Sequence, residues 1–267
     1  FATPKVATVS VIIAAVGAGA GLYISKDLRI GDLDAGAPEL WPDSRYNLDD
    51  KYVNDHYSVS ADVLVVMVET PADSCTKSAA MEKMDRFMWH MENVEGVQSA
   101  LSVVTVSKRV ITGFNEGNWK WAALTRVQDI INNSVQTVPG GLVNTNCSLA
   151  PVIIFLDDHK AETLDRSVAA VQEFAAAEND PDVATFVLAS GNAGVEAATN
   201  ETIEHAQNMM KILVYGVVSI LCLIAFRSIR AVICIIVPLA LTSILCQALM
   251  TILGIGVKVA TLPVIAL

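Results

Sequence analysis

Acid is absent from both ends of this chain. All 28 Asp and Glu residues fall in the window from Asp27 to Glu204. That window holds 12 of the 18 Lys and Arg residues and has a formal charge of −16, while the ends carry six basic residues and no acid. Histidine is scarce too, with only His56, His90, His159 and His205, none at metal-ligand spacing and none near a Cys. No Gly-x-Ser-x-Gly, phosphate loop or dinucleotide fingerprint occurs, and Gly191-Asn192-Ala193-Gly194 is too short to count as one. Asp157-Asp158-His159 follows an apolar run and reads as a solvated turn. These gaps leave no basis for an enzyme, so no catalytic residue, metal or cofactor is expected. The strongly acidic central window argues against a nucleic-acid partner.

The acid-free ends are where the long apolar runs sit, at residues 6–24, 212–226 and 231–253. A charge is costly in a bilayer core, whereas a helix satisfies its own backbone there. A span needs about 20 apolar residues. The first and third runs meet this, and the third tolerates Pro238. The second meets it only if Met209 and Met210 join and Lys211 snorkels. A cleaved signal peptide ending at Ala18-Gly19-Ala20 competes for the first run. The run continues through Leu22, Tyr23 and Ile24, which favours a span. The pattern reads as a large acidic aqueous domain with one membrane helix before it and two after it.

Lys5 precedes the first run, and Arg227 and Arg230 fill the tight turn between the second and third. Three crossings put both on one side, which the positive-inside rule makes cytoplasmic. Residues 26–210 then face periplasm or lumen, and the expected location is a bacterial inner membrane with that segment periplasmic. The final stretch, 261–267, stops in mid-run and reads as the start of a fourth helix, so the chain is expected to be the N-terminal piece of a longer protein.

Cys75 and Cys147 lie in the outer segment, while Cys222, Cys234 and Cys246 lie in apolar runs. One Cys pair in an oxidising compartment is a candidate disulfide; two free thiols are the alternative. Asn132, Asn146 and Asn200 head Asn-x-Ser/Thr sequons, which matter only in a eukaryotic lumen. Gly17 and Gly21 form a Gly-x-x-x-Gly pair that lets another helix approach closely.

Within the outer segment, residues 62–69 read as a buried strand. Residues 76–93 carry Ala80, Met81, Met84, Phe87, Met88 and Met91 at helical period. Strands are expected at 97–106, 151–156 and 183–188, and a second helix at 161–177. The order β-α-β, insertion, β-α-β predicts an α+β membrane protein with an external ferredoxin-like (βαββαβ) domain. The insertion, 107–149, is expected to hold one amphipathic helix with Ala123, Leu124, Val127, Ile130 and Ile131 on its apolar face. The implied divisions are a first transmembrane helix (1–25), an extended linker (26–58), the α+β domain (59–190), a helical connector (191–210), two transmembrane helices (211–254) and the start of a fourth (255–267). The connector is expected to continue as one helix into the second span.

This layout resembles the first half of the resistance–nodulation–division (RND) superfamily. Ile30-Gly31-Asp32-Leu33-Asp34-Ala35-Gly36-Ala37-Pro38-Glu39-Leu40, followed by Pro42-Asp43-Ser44-Arg45-Tyr46-Asn47, is similar to the stretch after the first helix in its MMPL-like, hydrophobe/amphiphile efflux branch. The resemblance implies a single porter domain and a proton-driven exporter of lipid-like molecules. It further implies membrane lipids or other amphiphiles as partners, together with the remainder of the same transporter; a homo-oligomer is left open. In that family an Asp relay sits in the fourth span, which places it beyond residue 267. Phe114, Trp119 and Trp121, large apolar residues outside the βαββαβ pattern, are the candidate substrate-lining residues, although packing onto the sheet explains them as well. The alternative is a non-transporting lipid sensor or scaffold with a sterol-sensing-like helical bundle.

Overall fold

A computed structural model describes residues 3–37 and 39–262. Pro38, in the stretch that carries the resemblance, and residues 263–267 of the last apolar run lie outside the described residues. Along the chain the elements are α1 (Pro4–Ile24), α2 (Arg45–His56), β1 (Val63–Glu69), α3 (Ser78–Glu92), β2 (Val97–Leu101), α4 (Val103–Phe114), α5 (Gln128–Val135), β3 (Leu149–Leu156), α6 (Ala161–Glu178), β4 (Thr185–Ser190), α7 (Asn192–Phe226) and α8 (Ile229–Leu253). The chain divides into two compact units, Phe1–Leu33 with Ala198–Leu267, and Asp34–Ala197.

The first unit is helical. Among the described residues, three helices are long and apolar enough to cross a membrane: Pro4–Asp27, Asn192–Phe226 and Ile229–Leu253. α7 is unbroken over 35 residues. Many of the apolar side chains face outward, Val11, Ile13 and Val16 among them. That arrangement suits helices whose solvent is lipid. α1 packs on α8 through Gly21, which is buried; a Cβ there would lie 2.8 Å from Ile244 Cγ2. Beyond the two helices the chain forms a one-rung parallel bridge, Ile30 with Val257. Gly31 N–H donates to Val257 O and Val257 N–H to Arg29 O, both at 2.9 Å. An ion pair between Lys258 and Asp32 closes the same corner. The two C-terminal ends therefore meet, α1 and α8 run in the same direction, and Lys5 and Arg230 lie at one end of the pair. Ile203, Met250 and Val257 form a small core beside the bridge. The Tyr215 and Ser243 hydroxyls, 2.6 Å apart, join α7 to α8.

The second unit is built on a four-stranded sheet of order β2-β3-β1-β4, with every neighbouring pair antiparallel. Leu64, Val66 and Val68 of β1 and Ala150, Val152, Ile154 and Leu156 of β3 are buried at period two. The apolar stripe of α3 is buried in full, as its spacing predicts. Phe87 meets Phe174 and Phe186 with ring centroids 5.1 and 4.8 Å apart, which locks α3, α6 and β4 together. Arg86 reaches Glu178 at the end of α6 with two hydrogen bonds, 3.1 and 2.9 Å. Asn192 clamps the start of α7 to β1, accepting from Val63 N–H and donating to Ala61 O, each at 2.8 Å. Gly191, at φ +90°, leaves no room for a Cβ beside the Val63 carbonyl. The Gly191-Asn192 pair is thus a docking corner.

Four expected elements differ. The second strand stops at Leu101, and residues 103–114 are helical. Ser102 caps that helix and Thr105 returns the bond, a capping box that overrides the β-branched run Val103-Val104-Thr105-Val106. In the insertion, residues 123–127 are not helical, and α5 begins only at Gln128. Gln128 reaches back to α3, accepting from Ser78 N–H and donating to Thr76 O, which sets that start. The linker 26–58 is not extended throughout, because residues 45–56 form α2. Ser44 caps it, and Asn47 in its first turn pins the preceding loop by bonding Ala37 N–H, Ala37 O and Trp41 O. β4 runs two residues later than expected, at 185–190.

Candidate functional site

A groove in the second unit lies between α3, α4 and the turn that follows α4. Burying the Met and Phe stripe of α3 leaves Asp85, Arg86, Trp89 and Glu92 on the outer face of that helix. The capping box fixes the start of α4, and Ser102 donates to Met88 Sδ at 3.0 Å, seating α4 beside α3. Thr105, Lys108, Arg109 and Thr112 then share one side of α4, at helical spacing, and face the groove. A short 3-10 turn, Trp119–Trp121, closes the rim, its start held by Asn118 Oδ1 accepting from Lys120 N–H. The groove encloses about 720 Å³. A smaller hollow of about 370 Å³ adjoins it through Asp85, Arg86, Lys108 and Ala122.

The charges on the rim are mostly neutralised. Lys108 Nζ lies 2.5 Å from Asp85, and Arg86 is engaged by Glu178. Glu92 accepts from the Ala100 N–H. Among the described residues Arg109 has neither an ion pair nor a side-chain hydrogen bond. Trp89 and Trp119 are exposed, at 69% and 87%. An open groove with two indole faces and an uncommitted guanidinium can hold a molecule that is apolar along its length and polar at one end.

Of the three expected lining residues, Trp119 is on this groove, while Phe114 and Trp121 are exposed side chains outside its lining. Trp89, Lys108 and Arg109 were not singled out from the sequence. A Trp opposite the apolar stripe of α3 marks that face as unusual, but nothing local places α4 beside it. Cys75 and Cys147 are joined as a disulfide with their Cα atoms 5.1 Å apart, tying the start of α3 to the end of the insertion. Gly21 touches α8 closely, whereas a Cβ at Gly17 would meet Leu245 at an ordinary 3.9 Å.

Asp157-Asp158-His159 is not a solvated turn. His159 Nδ1 lies 3.0 Å from Asp62 Oδ1, and both side chains are largely buried. The bond to Asp62 holds the imidazole above its ordinary pKa against the opposing effect of burial. Asp158 lies just ahead of α6, its carboxylate accepting from Lys160 N–H and the Thr163 hydroxyl. Burial raises its pKa, but those bonds and the Lys160 ammonium outweigh it, and the net shift is downward. Asp50 is raised by burial and by Asp62.

No curated protein matches the chain. The MMPL family model matches residues 50–266, which takes in nearly all of the second unit together with α7 and α8. The match covers most of the sequence, and the chain belongs to the MMPL family.

Proposed function

We propose that this MMPL-family chain acts in a proton-driven, RND-type exporter of hydrophobic or amphiphilic, lipid-like molecules. In this reading the second unit is a ferredoxin-like porter domain on the outer side of the membrane. The family match carries the proposal, because it embraces that unit and two apolar helices in one model. The sheet order β2-β3-β1-β4, antiparallel throughout and joined by βαβ connections, supports the ferredoxin-like reading. The α3–α4 groove supports the amphiphile reading, since its volume falls in the range of roughly 300–1,000 Å³ common for small-molecule sites. Residues 26–210 outside, with Lys5 and the Arg227/Arg230 turn inside, follows from the positive-inside rule.

The test is amphiphile movement in proteoliposomes made with the complete exporter, the Asp-bearing fourth span included. A fluorescent single-chain amphiphile should move across the bilayer when a pH gradient is imposed and stop when a protonophore collapses it. Binding without gradient-dependent movement would refute transport and favour a lipid sensor.

A further inference from the structure

Resting on that reading of the groove, we infer that it selects amphiphiles with an anionic head and that Arg109 is the residue that selects them. The second unit has 11 basic against 24 acidic residues, a formal charge of −13. The groove inverts this sign: Arg86, Lys108 and Arg109 line it against Asp85 and Glu92. In so acidic a unit, a basic side chain finds a carboxylate easily. Seven of the unit's 11 have one: Arg45, Lys83, Arg86, Lys108, Arg126, Lys160 and Arg166. Among the described residues Lys51, Lys77, Arg109 and Lys120 have none, and of these only Arg109 lines the groove. It projects from the middle of α4 with Lys108 beside it.

The chemistry of the head follows from the groups left over. Glu92 spends one oxygen on the Ala100 N–H, and Asp85 is taken by Lys108. Arg109 therefore presents the uncommitted donors, and a guanidinium matches a carboxylate, sulfate or phosphate with two parallel N–H donors. The apolar remainder of the lining, Met88, Trp89, Ala100 and Trp119, suits an alkyl chain. A cationic head would meet Arg109 unscreened, and a neutral head would leave it without a partner.

The experiment uses the complete exporter in lipid nanodiscs with three photoreactive dodecyl probes: a carboxylate, an alcohol and a trimethylammonium. Labelled peptides are mapped by mass spectrometry, and dodecanoate and dodecanol efflux are followed in parallel in proteoliposomes. The carboxylate should label α3 and α4 most strongly, and Arg109→Gln should reduce that labelling roughly tenfold, the value of one charge-assisted contact. Arg109→Lys, which keeps the charge but not the paired donors, should fall between the wild type and Arg109→Gln, and labelling by the alcohol should not change in either variant. Equal labelling by all three probes, or carboxylate labelling untouched by Arg109→Gln, overturns the inference even if the protein moves both amphiphiles. Conversely, the expected labelling with no efflux of either supports the head-group assignment and overturns transport.

Discussion

Replacing both Cys75 and Cys147 by Ser is expected to lower the melting temperature of the second unit substantially while leaving it folded at room temperature. The bridge closes a loop across a sequence separation of 72. Chain entropy for a loop of that length gives about 4 kcal/mol, near the top of the usual range. For a unit of this size each kcal/mol corresponds to about 2–4 °C, so a fall of about 8–16 °C is expected. The junction has other ties, which is why the unit should survive. Ser74 and Cys75 N–H both donate to Cys147 O at 3.0 Å, and Thr70 N–H donates to Ser148 O at 2.9 Å. Asn144 Oδ1 accepts from the N–H groups of Ser148 and Leu149. Replacing both residues avoids leaving a lone thiol in the core, where Cys75 is fully buried. The assay is intrinsic fluorescence, because all four Trp residues (Trp41, Trp89, Trp119 and Trp121) belong to this unit. A melting temperature unchanged within about 1 °C would refute the loop-entropy reasoning. So would labelling of both thiols in unreduced protein.

Other perturbations have equally definite outcomes. Gly21→Ala should destabilise the first unit by about 1–3 kcal/mol through overpacking against Ile244. Gly17→Ala, with ordinary van der Waals room, should change stability by less than about 0.5 kcal/mol, and equal effects at the two sites in thermal unfolding would reject the close packing at Gly21. A cysteine at Ser228 on a Cys-less background should resist impermeant thiol reagents applied outside intact cells; labelling there would reverse the orientation. The pKa of His159 is raised on folding, so the stability it contributes is complete below its ordinary value of 6.5 and is lost as pH rises through the higher folded value. The melting temperature of the second unit should therefore decline over that window, and His159→Asn should flatten the decline; an unchanged slope in the variant would assign it to other groups.

The membrane helices were legible because nothing but hydropathy governs them: 20-odd apolar residues without acid have few other fates. β1 and α3 were legible for a related reason, since period two and period 3.6 survive wherever one face is buried. α4 was not, because Val103 to Val106 reads as strand by composition, and the choice falls to two hydroxyls, Ser102 and Thr105. α2 buries no residue, so it leaves no apolar stripe to read. At the groove, Trp119 was found because a large apolar residue in a polar insertion stands out. Trp89 and Arg109 face it only because α3 and α4 lie side by side, which no local pattern records. His159 reads as part of a solvated turn for the same reason, as its partner Asp62 is 97 residues away.

The most direct test of proton-driven amphiphile export couples the two fluxes. Proteoliposomes loaded with a pH-sensitive dye are given an amphiphile on the side from which it is to be moved, with no pH gradient imposed. Proton-coupled export requires the internal pH to change only when amphiphile is present, in the direction opposite to amphiphile movement, and in proportion to the amount moved. Amphiphile movement with no accompanying pH change, or a pH change indifferent to amphiphile, would contradict it.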